Sequence, residues 1–514
     1  MGGKKRRTIT SFFPRWLWGL WLLFATFLLP FPCPGETAGG GITAEVRAFD
    51  LPNGLRVLML ERHTSPTVAF YIRHRVGAAD EERGKTGTAH LLEHLLFKGT
   101  TSIGTRDYKR EKRILKAIEA SLEALDKERA KGGHADPKRI ADYEGRLKRL
   151  EAAHRRLFVS NEIDRIYQEN GAENLNATTG QDLTTYHVSL PKNRLELWAR
   201  IESDRMYRPV FREFRQERDV VLEERRQRVD AKPEALLNEA FYRAAFTLHP
   251  YGRPVIGLAE DIASLSIRDV RDFFLRTHTP ANTVIAVVGS FDPEVLKKTV
   301  TAYFGSLPHR PPPTASALRE PPQTVERRVT IPIDSEPYLL VGFHKPNVPH
   351  ADDYVFDVIE ALLSQGRTSR FFRDLVERSG LARTVEAVNG LPGSRYPNLF
   401  VCGAQPRHPH GVEEVERALY EVLDRLKTEP VGEEELKKVK TNIRADLIRR
   451  QTSNEGLASL LSYYEALIGD YRYLDAYEGK IEEVTPEDIM RVARTYLTAA
   501  NRTVAVGIKK REKR

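Results

Sequence analysis

The sequence predicts an α+β protein of two homologous domains, with a helical hairpin inserted into the first. Three observations support this fold class. The two halves of the chain resemble each other, short segments such as Arg56 to Leu60 and Thr67 to Val76 have the β-branched and aromatic composition of strands, and one charged segment of the first half has helical periodicity. With 514 residues, 41% of them hydrophobic, the chain is long enough for two domains with their own cores.

The internal repeat is visible at two places in each half. The stretch His90 to Gly99 aligns without a gap with Asp357 to Gly366. Asn282 and Asn501 open similar apolar strands near the ends of the two halves. The chain between these landmarks is longer in the first half, from Gly99 to Asn282, than in the second, from Gly366 to Asn501. This difference in length gives the length of an insertion that is present only in the first half.

The segment from Tyr108 to about Phe158 has the required length and is the candidate for this insertion. Its apolar residues recur at three- and four-residue spacing within charged sequence, and Gly132, Gly133 and Pro137 interrupt the pattern. This pattern predicts an antiparallel helical hairpin. Whether the hairpin is a solvated arm or a docking device stays open.

These patterns divide the chain into four segments. A stretch rich in proline after Pro308 suits an extended tether. The predicted segments are a signal peptide over residues 1–40, a first domain over 42–307 with its insertion at about 108–158, a linker over 308–323 and a second domain over 324–510.

The basic N-terminus and the apolar run that follows it have the layout of a secretory signal. Lys4 to Arg7 precede the apolar stretch Trp16 to Leu29, which is shorter than a membrane-spanning helix requires. We therefore expect an exported protein of the bacterial periplasm, and anchoring by an uncleaved segment stays open. If the segment is removed, only Cys402 remains and no internal disulfide can form. The excess of nine positive charges is spread along the chain, so nucleic-acid binding is not expected.

The motif His90-Leu-Leu-Glu93-His94 is the strongest functional signal. On a helix, the side chains of His90 and His94 lie on one face and can reach a single ion, with Glu93 beside them. Imidazole is a good zinc ligand, and a neighbouring carboxylate can take a proton from metal-bound water. The alternative is a surface helix with two solvated histidines, but the leucines in this segment make it too apolar to be wholly exposed.

A catalytic zinc site normally has a third protein ligand. Glu217 and Glu224 are seven residues apart in a segment with helical character, so they share one helix face. In the second half Asp357 and Ala361 replace the two histidines, so only the first half can carry this metal site.

With these motifs the chain resembles the pitrilysin (insulinase) family of zinc peptidases, whose pattern is H-x-x-E-H followed by E-x6-E, and in particular its two-domain bacterial and mitochondrial-processing-peptidase-like members. The resemblance implies that His90, His94 and Glu224 bind one Zn²⁺ per chain, that Glu93 is the general base, and that Glu217 is an auxiliary acidic residue of the catalytic set. It also implies that each domain is a mostly antiparallel sheet packed with helices.

The segment from Asn174 to Thr178 and the pair Thr185-Tyr186 match the N-A-x-T...T-x-Y pattern of that family. The resemblance implies an edge strand near the metal, where Asn176 and Ala177 contact the substrate backbone. Such an edge accepts extended peptides with loose sequence preference. The implied activity is a zinc-dependent endopeptidase acting on unfolded or short polypeptides, enclosed between two homologous halves or subunits.

One feature departs from the family pattern. Single-chain active members carry R-x6-Y in the second half, where this chain has Val376 and Arg383. We therefore expect a homologous subunit to supply the arginine and tyrosine in a heterodimer, and a homodimer stays open. Two other interpretations remain: a non-catalytic structural or assembly subunit of the same family, and a metallohydrolase that acts on something other than peptides.

Overall fold

The computed structural model describes residues 41–314 and 318–510; the predicted signal peptide lies outside the described residues. The strands of the first half are β1 (Arg47–Asp50), β2 (Arg56–Glu61), β3 (Thr67–His74), β4 (Glu173–Thr179), β5 (Thr184–Pro191) and β6 (Thr283–Gly289). Those of the second half are β7 (Arg327–Ile333), β8 (Tyr338–Lys345), β9 (Ala382–Leu391), β10 (Asn398–Pro406) and β11 (Arg502–Lys509).

Most of the helices lie between these strands in runs of several. In the first half they are α1 (Thr88–Leu96), α2 (Tyr108–Arg129), α3 (Pro137–His154), α4 (Glu162–Glu169), α5 (Leu195–Tyr207), α6 (Phe214–Arg225), α7 (Pro233–Ala245), α8 (Ala259–Ser264), α9 (Ile267–Thr277) and α10 (Pro293–Phe304). In the second half they are α11 (Ala351–Ser364), α12 (Val412–Thr428), α13 (Glu433–Gln451), α14 (Asn454–Ile468), α15 (Tyr473–Glu483) and α16 (Pro486–Tyr496). No helix in the described part of the chain combines the length and the apolarity needed to cross a bilayer.

The two sheets share a topology over five strands, and the first sheet has β1 as an additional edge strand. The first has the strand order β1-β2-β6-β3-β5-β4 and the second the order β7-β11-β8-β10-β9. All neighbours are antiparallel except β2 with β6 and β7 with β11, which occupy equivalent positions. The predicted fold class, two homologous α+β domains with mostly antiparallel sheets, is therefore confirmed.

Local contacts repeat along with the topology. Asn282 donates to the carbonyl oxygen of Thr277 at 2.9 Å, and Asn501 donates to that of Tyr496 at 2.8 Å. Each asparagine therefore ties the end of a helix to the start of the following strand. The preceding helices α9 and α16 both begin with a capping box, in which a hydroxyl and an aspartate satisfy each other's backbone amides.

The two halves exchange one helix. Helix α7 of the first half packs on β7 and β11, and α14 of the second half packs on β3 and β6. Each of these helices precedes the capped helix and the last strand of its half, so the two are equivalent elements of the repeat. Leu457 and Leu461 of α14 bury themselves against the first sheet, and Leu237 and Phe241 of α7 do the same on the second. The exchange explains why β6 is buried along its whole length, since both faces of that strand are covered.

The predicted insertion forms a hairpin of two helices, α2 and α3, that pack on each other. The chain enters and leaves it side by side, because Thr105 pairs with Phe158 and the amide of Arg106 donates to the carbonyl of Leu157 at 2.8 Å. Leu125 and Leu147 are buried in the core of the first domain. The hairpin thus contributes side chains to this core, while most of its other residues are half-buried or exposed.

A buried ion pair fastens the base of the hairpin. Arg212, which is fully buried, donates from Nε to Glu111 Oε1 at 2.6 Å and from Nη2 to Glu111 Oε2 at 2.9 Å. His154 contacts the same carboxylate at 2.7 Å. Arg212 also donates to the backbone carbonyls of Lys98 and Thr100. Helix α2 is thereby tied to the segment that follows α1.

The described residues of the predicted linker, 308–314 and 318–323, form no helix or strand, and Glu320 attaches this segment to the first domain. The carboxylate of Glu320 accepts hydrogen bonds from the backbone amides of Thr247, Leu248 and His249 at 2.9–3.0 Å. Burial alone would raise the pKa of Glu320, but these amides lower it to about 2. Successive backbone amides of this kind form an anion-binding concavity.

We expect the Glu320→Gln substitution to lower the free energy of unfolding by about 1–2 kcal/mol at pH 7, because hydrogen bonds to a charged acceptor are lost. The folded-state pKa lies below the unfolded value of about 4.3, so this contribution is complete above that pH and disappears as the pH falls toward 2. Urea unfolding of both proteins from pH 7 to 3 measures the difference. A difference that stays constant below pH 4 would contradict the assignment.

Candidate metal centre

Two residues, Gly87 and Glu81, determine where α1, the helix that carries the histidine motif, begins. Gly87 precedes α1 with a φ of 89°, in the left-handed region that favours glycine. The buried carboxylate of Glu81 accepts hydrogen bonds from the amides of Gly87 at 2.9 Å and Ala89 at 2.7 Å, which satisfies the start of the helix. The leucines of α1 are buried against the sheet, so His90 and His94 face outward from this core.

Helix α6 brings Glu224 to the two histidines. Glu224 Oε2 lies 3.8 Å from His90 Nε2 and 3.5 Å from His94 Nε2. One donor atom from each of the three side chains can be chosen so that all lie within 4.8 Å of one another. The side chains are 13–15% exposed, so a ligand can reach them from one side.

Glu217 lies behind His94. Its Oε2 is 3.3 Å from His94 Nδ1, and its Oε1 is 2.6 Å from the amino group of Lys98. A carboxylate on the second nitrogen of a metal-binding histidine fixes the ring orientation and its tautomer. On the other side, Arg228 contacts Glu224 Oε1 at 2.8 Å, which leaves Oε2 directed at the histidines.

Glu93 is held by the edge strand of the first sheet. The hydroxyl of Thr179, the last residue of β4, donates to Glu93 Oε2 at 2.5 Å. Burial raises the pKa of Glu93, although the Thr179 hydroxyl and His94 oppose the shift. A carboxylate with a raised pKa is suited to accept a proton and to release it again.

The electrostatics of the site favour positive charge. Burial would lower the pKa of His94, but Glu217 and Glu224 raise it to about 9. Burial and the neighbouring His94 lower the pKa of His90 to about 4, which keeps that ring neutral. Glu224, whose pKa burial would raise, is instead held at about 2 by His94 and His90.

These residues fit a divalent cation. Two imidazoles and one carboxylate, converging through Nε2, Nε2 and a single Oε2, are the donor set of a catalytic zinc site with room for a further ligand. The acidic surroundings of His94 show that the site stabilises a positive charge there. Zn²⁺ is therefore compatible with the residues present.

The structure places the other predicted residues as follows. Asn176 and Ala177 lie on β4, the edge strand of the first sheet, paired with β5 on one side only. Val376 packs at the border of the second core, and Arg383 is exposed at the start of β9. Their roles stay predictions.

The second half has a position equivalent to the metal site, where the acidic side chains are bonded by other residues of the protein. On α11, Asp357 is half-buried and accepts hydrogen bonds from Asn389 at 2.8 Å and Tyr477 at 2.9 Å. Glu360, the counterpart of Glu93, accepts from the backbone amide of Asn389 at 2.8 Å. Both carboxylates thus accept hydrogen bonds from other residues of the protein.

Three residues of the site were missed at the sequence level. Lys98 lies four residues after His94, and this spacing on a helix could have indicated a shared face. Arg228 lies four residues after Glu224 in the same way. Thr179 has no such signal, because it reaches Glu93 across 86 residues of chain.

Two family models match most of the chain. Residues 56–125 and 157–258 match the family model "Insulinase (Peptidase family M16)", and residues 264–443 match "Peptidase M16 inactive domain". The gap between the first two stretches falls within the helical hairpin.

Individual relatives match over most of their length. The chain is 26% identical to the zinc protease PqqE of Helicobacter pylori, over 87% of this chain and 89% of that protein. It is 28% identical to an uncharacterized zinc protease of Mycobacterium leprae, over 88% and 90% of the two chains. The crystal structure of a protease from Helicobacter pylori superimposes with a TM-score of 0.76 at 24% identity, covering 90% of this chain and 99% of that one. The chain belongs to the insulinase family of zinc peptidases, peptidase family M16.

Proposed function

We propose that this protein is a zinc-dependent endopeptidase that hydrolyses peptide bonds in unfolded or short polypeptides. The observation that carries the proposal is the convergence of His90, His94 and Glu224, with Glu93 beside them. Homologues named zinc proteases support the same class of reaction.

His90, His94 and Glu224 would hold the zinc ion. Zinc bound there would lower the pKa of a coordinated water toward about 7 and polarise the scissile carbonyl. Glu93 accepts a proton from the attacking water and delivers it to the leaving amine, and the Thr179 hydroxyl keeps that carboxylate in place. Glu217 fixes the ring of His94 from behind.

The substrate would bind along β4. The outer edge of this strand has no strand neighbour among the described residues, so its main-chain groups can pair with an extended peptide. Asn176 and Ala177 lie in the middle of this edge, and Thr179 at its end contacts Glu93. A peptide paired there would pass next to the general base. Because folded proteins seldom offer a free extended segment, we propose unfolded polypeptides as the substrates.

We also propose that a homologous subunit completes the site. Neither Val376 nor Arg383 can provide the tyrosine hydroxyl of the family pattern, and Val376 packs into the second core. The partner would contribute the arginine and tyrosine in a heterodimer. In this proposal the chain works outside the cytoplasm, since residues 1–40 have the layout of an export signal.

One experiment tests activity and partnership together. The full-length chain, carrying an affinity tag, is recovered from its own cells, and the recovered material is analysed for zinc and assayed on a reduced, alkylated protein substrate. Cleavage that depends on a co-purified homologous subunit supports both proposals. Full activity of the purified chain as a monomer or homodimer contradicts the partner proposal, and a zinc-loaded assembly without peptide cleavage contradicts the peptidase proposal.

We expect the Glu217→Gln substitution to lower zinc affinity by about 10–100-fold, because the ring of His94 loses its charged acceptor. Competition with a chromogenic chelator measures the dissociation constant of zinc. The matched control is Glu213→Gln, since Glu213 contacts Lys98 at 3.4 Å but neither histidine. Equal effects of the two substitutions would contradict an orienting role for Glu217.

A further inference from the structure

A second cavity lies away from the metal centre, between the hairpin and the rest of the first domain. It has a volume of about 540 Å³, with one wall formed by α2 and the other by the start of α6 and by α9. None of the three metal-site residues His90, His94 and Glu224 lines it. The α2 wall of this cleft, from Tyr108 to Leu122, belongs to the predicted insertion.

The interior of the cleft is apolar. Its lining includes buried or half-buried side chains from three helices, namely Leu115, Ile118, Leu122, Phe214 and Phe274. The spacing of the α2 residues places them on one face of that helix, directed at α6 and α9. Ligand pockets typically combine such a lining with a few polar groups at defined positions.

Two large apolar side chains at the cleft are exposed. Tyr207, at the end of α5, is 50% exposed, and Leu275 of α9 is 40% exposed. Single exposed apolar residues are ordinary, but these two border the same cavity. An apolar occupant would cover them.

The charges of the cleft are arranged asymmetrically. Midway along α2, Glu119 is paired with Arg271 of α9 at 2.7 Å, which bridges the two walls. Toward the start of α2, Lys112, Lys116 and Arg155 line the cleft, and none of the three forms an ion pair within 4.0 Å among the described residues. The two other acidic lining residues contact different cations: Glu151 lies 4.0 Å from Arg215, and Glu213 lies 3.4 Å from Lys98. The part of the cleft near the start of α2 therefore has an excess of positive charge.

The walls limit what can bind. They are mostly helices, together with the short segment from Pro209 to Glu213. The backbone amides and carbonyls of the helices are bonded within each helix, so an extended peptide would leave most of its own polar groups unpaired. An acyl chain carries no such groups. The span of α2 from Lys112 to Leu122 is ten residues, or about 15 Å at 1.5 Å per residue.

We propose that this cleft binds a free fatty acid, with its acyl chain between α2, α6 and α9 and its carboxylate at Lys112, Lys116 and Arg155. The ligand would contact Phe214 in the first turn of α6, and the later turns of that helix carry Glu217 and Glu224. The site is independent of the proposed peptidase activity, because binding at the cleft does not require the metal.

Isothermal titration of the full chain with sodium dodecanoate, below its micelle concentration, tests the proposal. We expect saturable binding at one site, hexanoate to bind at least about 100-fold more weakly because less apolar surface is buried, and dodecyltrimethylammonium not to bind. The Lys112→Glu, Lys116→Glu double variant should weaken dodecanoate binding by about 10–100-fold, because it reverses the charges that face the carboxylate.

The matched control is the Lys127→Glu, Lys148→Glu double variant, which makes the same charge change on the same hairpin outside the cleft. It should bind dodecanoate within about twofold of the wild type. Circular dichroism spectra like that of the wild type establish that both variants are folded. The proposal is overturned if dodecanoate does not bind, if both double variants lose affinity equally, or if the chain binds only vesicles of anionic phospholipid.

Discussion

The Glu93→Gln variant should bind zinc like the wild type and lose about 10²–10⁴-fold in kcat, because a single carboxylate provides the proton transfer in both directions. The amide is nearly the same size and can still accept the hydrogen bond from Thr179, so the helix and the three metal-site residues are not disturbed. The readouts are zinc content and initial rates on an unfolded substrate, measured with the assembly that shows activity.

The control for this variant is Glu223→Gln. Glu223 is 43% exposed on α6, next to Glu224, and pairs with Arg226 away from the histidines. It should change kcat by less than about twofold. A Glu93→Gln enzyme with more than a tenth of the wild-type rate would contradict the role of Glu93 as the general base, and a loss of zinc would show that Glu93 contributes to binding instead.

The Arg212→Met variant should lose about 3–5 kcal/mol of stability, because it leaves the carboxylate of Glu111 buried without its charged partner. Burial alone would raise the pKa of Glu111, and it is the hydrogen bonds from His154 and Arg212 that bring it to about 2. Without Arg212 this carboxylate must be protonated or hydrated, and either change loosens the base of the hairpin.

Urea unfolding at pH 7 measures this loss. The control is Arg215→Met, since Arg215 is 35% exposed and 4.0 Å from Glu151, so its removal should cost less than about 1 kcal/mol. The double variant Glu111→Leu, Arg212→Met should be more stable than Arg212→Met alone, because the orphaned charge is also removed. An Arg212→Met variant within about 1 kcal/mol of the wild type would contradict the importance of this pair.

Much of the fold could be predicted from the sequence because the two halves of the chain repeat the same pattern. The helix that the motif from His90 to His94 predicts is found at Thr88–Leu96, and its start is set by Gly87, whose left-handed conformation a helix cannot include. The alignment of the halves predicted two related domains, and equivalent strands do occupy equivalent places in the two sheets.

The remainder depends on contacts between distant parts of the chain. The apolar spacing of α7 identifies an amphipathic helix but not which sheet it covers, and that sheet belongs to the other half. The same holds for Thr179, Arg212 and Glu320, whose partners are far from them in the sequence. The local sequence shows that such polar groups need hydrogen-bond partners when they are buried, but it does not show which residues the partners are.

The exchanged helices make the protein a covalently joined counterpart of an intertwined dimer. A cut within the segment after Pro308 would separate the chain into two fragments. The first fragment would lose α14, which covers its sheet, and the second would lose α7, which covers the other sheet. Neither fragment is a self-sufficient unit, yet together they contain every surface needed to reassemble.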